Sequence, residues 1–402
     1  MLRKRPTPPP VLPFLLVAYA LAGLLATDAY LPSLPILEGV FQVSAGDVQF
    51  TMTSYFAGVC IANLFYGPLS DGYGRRPILL LGGIGFLLAT LTCAAALSIE
   101  MLMVGRFLQG ATVCSLTVTS RATVRDLYDD TRVTRLNAYI AMAEGIAPAL
   151  GPVIGAEILI QFGWRWNFFL VLALAGAALL ALFLVLPESN VRRTRRALQL
   201  RPVLRMYLSI LYTRDFLGPV LCAGLVFGSL MLYVTAAPFL IIDVMGYSAR
   251  EFGLTQAAIV VVYVIGLVIT TRFIGRLGPR PFLVSGLVLV AGSAVVMMAL
   301  AWAGYGGYLA FVVPFGAYTF GIGLALAPMM TRALSVSPRA TGSVASMLGT
   351  ITMGCAFLGS HIVVWVYDGT TTPIVTAVAI ISVLALIIYA ATYWRHRPRH
   401  GP

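Results

Sequence analysis

The sequence predicts an all-α membrane protein of twelve transmembrane helices in two six-helix halves, and three observations predict it. Unbroken apolar runs of membrane-spanning length recur along all 402 residues. The basic residues fall in the connectors that alternate to one side. One long polar stretch near the middle divides the apolar runs six and six.

Hydrophobic residues make up 59% of the chain and charged residues only 10%, where a soluble domain carries about 25% charged residues. Such a chain is not water-soluble. Lipid offers backbone groups no hydrogen-bond partner, so spanning segments must be helices or closed barrels, and runs of about 20 apolar residues mean helices. The net charge of +12 would suit nucleic acid on a solvated basic face, but here the charge is dispersed among short connectors, and no nucleic-acid partner is expected.

Apolar runs set against charged breaks place helices near 11–37, 48–69, 78–98, 101–121, 138–160 and 167–186, then 216–241, 252–272, 282–303, 307–331, 343–366 and 373–393. Orientation follows from the cytoplasmic retention of Lys and Arg. With both termini inside, 24 of the 27 basic residues are cytoplasmic, only Arg165 and Arg250 are outside, and Arg106 lies within a helix. The location expected is therefore the cell inner membrane, multi-pass. The first segment runs through Asp28 into YLPSLP without a clean cleavage site, so it reads as a helix and not a signal peptide. The halves are 1–187 and 215–402, joined by a cytoplasmic connector, 188–214, whose arginines suit lipid headgroups. GYGRRP at 72–77 has a weaker echo in RLGPRP at 276–281, as duplicated halves would leave.

Three motifs carry chemistry. The first, Gly67-Pro-Leu-Ser-Asp71-Gly-Tyr-Gly74-Arg75-Arg76-Pro77, combines turn-permitting glycines with an acid that can pair with Arg or cap a neighbouring helix. The second, Arg106-Phe-Leu-Gln109-Gly110, sets a cation inside a helix, which costs roughly 2.5 to 3.5 kcal/mol on insertion scales and so implies a partner and a task. The third, Ala147-Pro148-Ala149-Leu150-Gly151-Pro152-Val153-Ile154-Gly155, makes one face of helix five small and bent. Positions 144, 148, 151, 152 and 155 share that face. Together with TDAYLPSLP at 27–35 and RATVRDLYDD at 121–130, these motifs resemble the major facilitator superfamily, and within it the Bcr/CflA multidrug-resistance group of drug:proton antiporters.

The resemblance implies the major facilitator fold, alternating access, and proton-coupled export of small, often amphipathic molecules such as drugs or a siderophore-like metabolite. Proton-coupled uptake of a metabolite is the alternative, and helix five's GPxxG order argues against it. The resemblance assigns gating to Gly67, Asp71, Gly74, Arg75, Arg76 and Asp126, and the antiporter motif to Pro148, Gly151, Pro152 and Gly155. Asp28 is the first choice for proton carrier: a buried carboxyl suits the neutral form and a nearby cation suits the ionised one. Arg106 lies near enough in depth to pair with it. A related multidrug exporter carries an additional acid about two turns earlier in helix one, where Ala20 stands here, whereas Glu144 sits on the glycine face of helix five and is a second proton-coupling candidate. Tyr30, Tyr233 and Tyr263 join Asp28, Arg106 and Glu144 as expected cavity residues. Glu157 and Asp243 read as solvated, and His361 as packing.

An enzyme would need clustered His and carboxylates or a nucleophile with its base. The three His are one isolated helix residue and two in the Arg-rich tail, and the five Cys lie singly in apolar runs. No enzyme activity, metal or cofactor is expected, and no phosphate loop supports ATP drive. The expected partners are a small-molecule substrate, protons and the lipid bilayer, with the chain monomeric.

Overall fold

The computed structural model describes residues 9–190, 214–334 and 341–394. Most of the connector (191–213), Arg339 and the terminal arginines lie outside the described residues. Twelve helices among the described residues are long and apolar enough to cross a membrane. We label them α1 (Leu12–Phe41), α2 (Ala45–Tyr73), α3 (Arg75–Ala94), α4 (Ile99–Leu127), α5 (Asp130–Phe162), α6 (Arg165–Val185), α7 (Phe216–Val244), α8 (Ala249–Leu277), α9 (Pro279–Trp302), α10 (Tyr308–Leu334), α11 (Thr341–Val366) and α12 (Thr372–Trp394). Phe14, Leu81, Leu180, Leu184 and Trp365 stand 65 to 78% exposed on helix outsides, as suits a lipid surround and not water.

Local chemistry explains where the helices begin and bend. Ser44 and Asp47 form a reciprocal capping box at the start of α2, with Asp47 N–H donating to Ser44 Oγ at 3.3 Å and Ser44 N–H to Asp47 Oδ2 at 3.1 Å. Asp129 caps α5 through Arg132 N–H, so that helix starts eight residues earlier than its apolar pattern predicts. In α1 the α-helix stops at Asp28 and gives way to a 3₁₀ turn at Leu31–Ser33. Pro32 has no N–H to offer the Asp28 carbonyl, so the break follows the acid directly. SDGY at 70–73, expected as connector, continues α2 by about one more turn, and a single residue, Gly74 at φ +112°, makes the whole turn into α3.

Two compact units result, one comprising Met1–Met206 with Gly246–Ala257, the other Tyr207–Met245 with Ala258–Pro402. Each contains the same glycine crossings. In the first, Gly110 of α4 lies against the Tyr55 carbonyl of α2, and Gly58 lies against the Phe107 carbonyl. In the second, Gly323 of α10 lies against the Tyr263 carbonyl of α8, and Gly266 against the Phe320 carbonyl. Likewise Gly155 of α5 meets the Ala29 carbonyl of α1, and Gly359 of α11 meets the Gly228 carbonyl of α7. The register is the same to the residue, so the duplication that GYGRRP and RLGPRP suggest extends through the cores. It also identifies counterparts: Asp28 corresponds to Phe227, and Arg106 to Thr319.

A Cβ at these crossings would collide with neighbouring backbone, which cannot swing aside. Gly110→Val and Gly323→Val should each destabilise the protein by about 1–3 kcal/mol, read as a lower midpoint of thermal unfolding in detergent. Gly292→Ala, whose added Cβ meets nothing within 4 Å, should leave that midpoint unchanged.

Candidate functional site

The first unit holds a buried ionic centre where α1, α2, α4 and α5 meet. Arg106 is 0% exposed, which rules out a side chain reaching for the membrane surface. Its Nη1 donates to the Ala26 carbonyl of α1 at 2.9 Å and to Gln109 Oε1 at 2.6 Å, and its Nη2 approaches Met52 Sδ at 3.6 Å. The guanidinium lies 4.4 Å from the Tyr55 ring centroid and 4.8 Å from that of Tyr30, so two aromatic faces supply the electrostatic attraction that water would otherwise give. Gln109 Nε2 continues the chain to Thr90 Oγ1 at 2.9 Å, and Thr90 donates to the Phe86 carbonyl at 2.7 Å. Tyr30 is fixed in turn by a 3.0 Å hydrogen bond between its hydroxyl and Thr51 Oγ1, and by Phe168 against its ring.

Asp28 is placed differently. Among the described residues it forms no ion pair, and Arg106 turns to carbonyl, amide and aromatic partners instead. Its side chain stays partly accessible. Its backbone and Cβ are the surface on which the glycine face of α5 rests: a Cβ at Gly151 would strike Asp28 Cβ, and one at Gly155 would strike the Ala29 carbonyl. Asn167, at the start of α6, secures this crossing through Nδ2, which donates to Ser33 Oγ at 3.0 Å and to the Gly155 carbonyl at 3.2 Å. The sequence reading missed Asn167, because a single Asn near a helix end carries no pattern.

Glu144, two turns from Gly151, pairs with Arg121 of α4. Both side chains are substantially accessible, at 33% and 51%, so this acid meets its cation on a wetter stretch than Asp28 occupies. Glu157, expected to be solvated, binds Arg250 at the start of α8 in a two-pronged contact, with Nη2 2.9 Å from Oε2. Gly253, one turn on, packs against Pro152 and Val153, so the antiporter motif is covered on this side by residues of the same unit.

The gating motif is a second cluster. Arg75, with a side chain only 6% exposed, reaches Asp71 at 2.6 Å, Asp126 at 2.9 Å and Ser70 Oγ at 2.5 Å. Gly74 has no side chain with which to cap α3, and Glu188 supplies the cap from the end of α6, its Oε1 accepting from Arg75 N–H at 3.0 Å. Asn190 donates to the Asp71 carbonyl at 2.9 Å. Arg76 instead donates to the Phe183 carbonyl at 3.0 Å. Glu188 and Asn190 belong to the stretch that the sequence marks only as the beginning of a polar connector.

In the second unit, Tyr233 is buried in a stack with Phe311 and Phe315, which runs on to Tyr318 and its 2.5 Å hydrogen bond with Ser229. Tyr263 lends its carbonyl to the Gly323 crossing while its side chain is partly accessible. His361 accepts from the Trp365 indole N–H at 3.0 Å and stacks on Phe357, consistent with the packing role expected of it. No group of His, Cys, Asp and Glu among the described residues could hold a metal ion.

The profile of the Major Facilitator Superfamily matches residues 15–360. The chain belongs to that superfamily. Among curated proteins it is 31% identical over 350 residues to the multidrug transporter MdfA of Edwardsiella ictaluri (strain 93-146), covering 87% of this chain and 85% of that one. It is 29% identical over 347 residues to the protein of the same name from Escherichia coli O157:H7, covering 85% and 83%. Solved structures share the fold: a peptide transporter POT in complex with sulfate has a TM-score of 0.78 at 14% identity, covering 96% of this chain and 94% of that one. A D-xylose–proton symporter has a TM-score of 0.72 at 16% identity, covering 94% and 97%. This is a multi-pass membrane protein of a transporter superfamily.

Lysine at 106 would keep the charge but lose the planar fork that donates to Ala26 and Gln109 while lying between two rings. Arg106→Lys should therefore cost about 3–5 kcal/mol, as breaking a buried charge's partners does, seen as a lower thermal midpoint in detergent. A midpoint equal to wild type would show that Arg106 does not organise this centre.

Proposed function

We propose that the protein is a proton-coupled exporter of small amphipathic molecules, drugs or a siderophore-like metabolite, that works by alternating access with Asp28 as proton carrier. The observation that carries this reading is an acid inside a membrane helix, partly accessible and without an ion pair among the described residues, packed on the glycine face of α5. A chain about 30% identical to multidrug transporters has a use for such a group. Intramembrane ionisable side chains are costly and are retained for function.

In this mechanism, substrate enters from the cytoplasm or inner leaflet and a cationic or polar group of it displaces the proton of Asp28. A change of access then releases the substrate outside, and a proton from the outside resets the carboxyl. Arg106, sealed between Tyr30 and Tyr55, holds the α1 backbone at Ala26 so that Asp28 keeps its place. Glu144 is a second coupling group, exchanging Arg121 for a proton or a substrate cation. The Arg75 cluster with Asp71 and Asp126 acts as the cytoplasmic latch, and Pro148, Gly151, Pro152 and Gly155 make α5 small and bent, with Gly151 and Gly155 close against Asp28 and Ala29 of α1. Tyr30, Tyr233 and Tyr263 border the substrate path. The setting is the cell inner membrane with both termini cytoplasmic, a monomer needing neither cofactor nor catalytic residues.

Two measurements test this. Detergent-purified protein should release protons on adding a transported drug, and Asp28→Asn should bind the drug while release falls at least about tenfold; undiminished release would move the proton site elsewhere, to Glu144 first. In inside-out vesicles carrying an imposed proton gradient, acid inside, substrate should accumulate in the lumen and Asp28→Asn should abolish the accumulation. Gradient-driven loss of substrate from the lumen would identify an uptake symporter.

A further inference from the structure

We infer that Asn167 is a positioning residue for the Asp28 centre, holding the glycine face of α5 against α1 and so controlling the access of water to the carboxyl. The inference rests on the assignment of Asp28 as proton carrier and adds a residue outside every motif of the sequence. Asn167 is 2% exposed, and its amide spans the two helices whose contact defines the site: Nδ2 bonds Ser33 Oγ in the broken stretch of α1 and the Gly155 carbonyl of α5. A carbonyl only accepts, so the NH2 end of the amide must face Gly155, and both of its hydrogens are then used. Oδ1 is buried without a hydrogen-bond partner, which makes the placement one that the neighbouring groups impose and not one that satisfies the side chain.

The location gives this bond leverage. Gly155 is in backbone contact with Ala29, and Gly151, one turn away on the same face, touches Asp28 itself. Ser33 lies just past the break that Pro32 imposes after Asp28, where the α-helical ladder of α1 gives way to 3₁₀ bonds such as that from Ser33 N–H to the Tyr30 carbonyl at 2.9 Å. The next residue, Phe168, packs on the ring of Tyr30, whose ring also faces Arg106. The first turn of α6 therefore touches α1 at Tyr30 and Ser33 and α5 at Gly155. Without the Nδ2 bonds, α5 can lift from α1, and water reaches Asp28 along the gap. The substitutions at 167 and 33 leave in place the side chains of Tyr30, Tyr55 and Arg106, the titratable groups of the centre.

The test reads Asp28 directly. A fluorescent carbodiimide labels accessible, protonated carboxyls, and Asp28→Asn gives the background. In detergent-purified protein, Asn167→Leu and the milder Ser33→Ala, which removes one acceptor and keeps the fold if Asn167→Leu does not, should be labelled at Asp28 at least about threefold faster than wild type. The pH midpoint of drug-induced proton release should also move by roughly half a unit or more. Asn167→Asp, nearly identical in size but with at most one donor where the amide has two, should also be labelled at Asp28 faster than wild type, read against the Asn167→Asp, Asp28→Asn double variant as background. Labelling rate and midpoint equal to wild type in Ser33→Ala and in either Asn167 variant would overturn the inference. If wild-type Asp28 is labelled yet drug causes no release, it is the proton-carrier reading that fails, and the labelling comparison still judges Asn167.

Discussion

A guanidinium inside a membrane has lost its water, and the first unit is organised around replacing it. Moving such a charge into an apolar interior is so costly that it persists only where hydrogen bonds and polarisable groups surround it. Arg106 obtains these at both terminal nitrogens and both ring faces, from a carbonyl of α1, an amide of its own helix that is held by Thr90 of α3, a thioether of α2 and two tyrosine rings, while its Nε is buried without a hydrogen-bond partner. None of these partners is an anion. In the proposed mechanism the group whose charge changes is Asp28, two residues on from the carbonyl of Ala26 that holds this guanidinium. The electrostatics of the centre differ between the neutral and ionised carboxyl, which is what coupling a proton to another cation requires.

The second unit is built on the same crossings without that charge. Where the first has Asp28 and Arg106, the second has Phe227 and Thr319, the latter bonded to its own Gly316 carbonyl and, at 3.4 Å, to Ile259 of α8. An aromatic stack from Phe311 to Tyr318 fills its core. The duplication has kept the backbone contacts, which any side chain larger than hydrogen would break, and has let the chemistry diverge. The proposed coupling groups lie in one unit only.

The twelve spans were legible because hydropathy in lipid is a strong constraint and because each is bounded by charge or glycine. The residues of the three motifs were legible too, and the structure places Asp71, Arg75 and Asp126 in one cluster. Asp28 and Arg106, near enough in depth to pair, form no ion pair among the described residues: depth along two helices fixes height but not the azimuth at which side chains meet, and Ala26 and the tyrosines occupy the azimuth of the guanidinium. Glu188, Asn190 and Asn167 were invisible for a related reason. Glu188 and Asn190 each act on a backbone group more than 100 residues distant and Asn167 on the Gly155 carbonyl, and a backbone group leaves no trace in the residue type opposite it. The early start of α5 was hidden because polar residues at 130–137 interrupt the apolar pattern while Asp129 still caps the helix.

The one-residue joint at Gly74 has a mechanical meaning. A long loop between two helices absorbs relative motion as slack; a single residue cannot. Glu188 clasps one side of this joint and Arg75 rivets the other to Asp71 and Asp126, so α2 and α3 behave as the two arms of a bell crank pivoting on a glycine. In the proposed mechanism, a tilt that begins among the buried groups beside Tyr55, five turns away along α2 and on the far side of Pro68, would reach this joint as displacement and not be dissipated as loop flexing. The distance over which the ionic centre can act is then set by the stiffness of a helix and not by a chain of side-chain contacts.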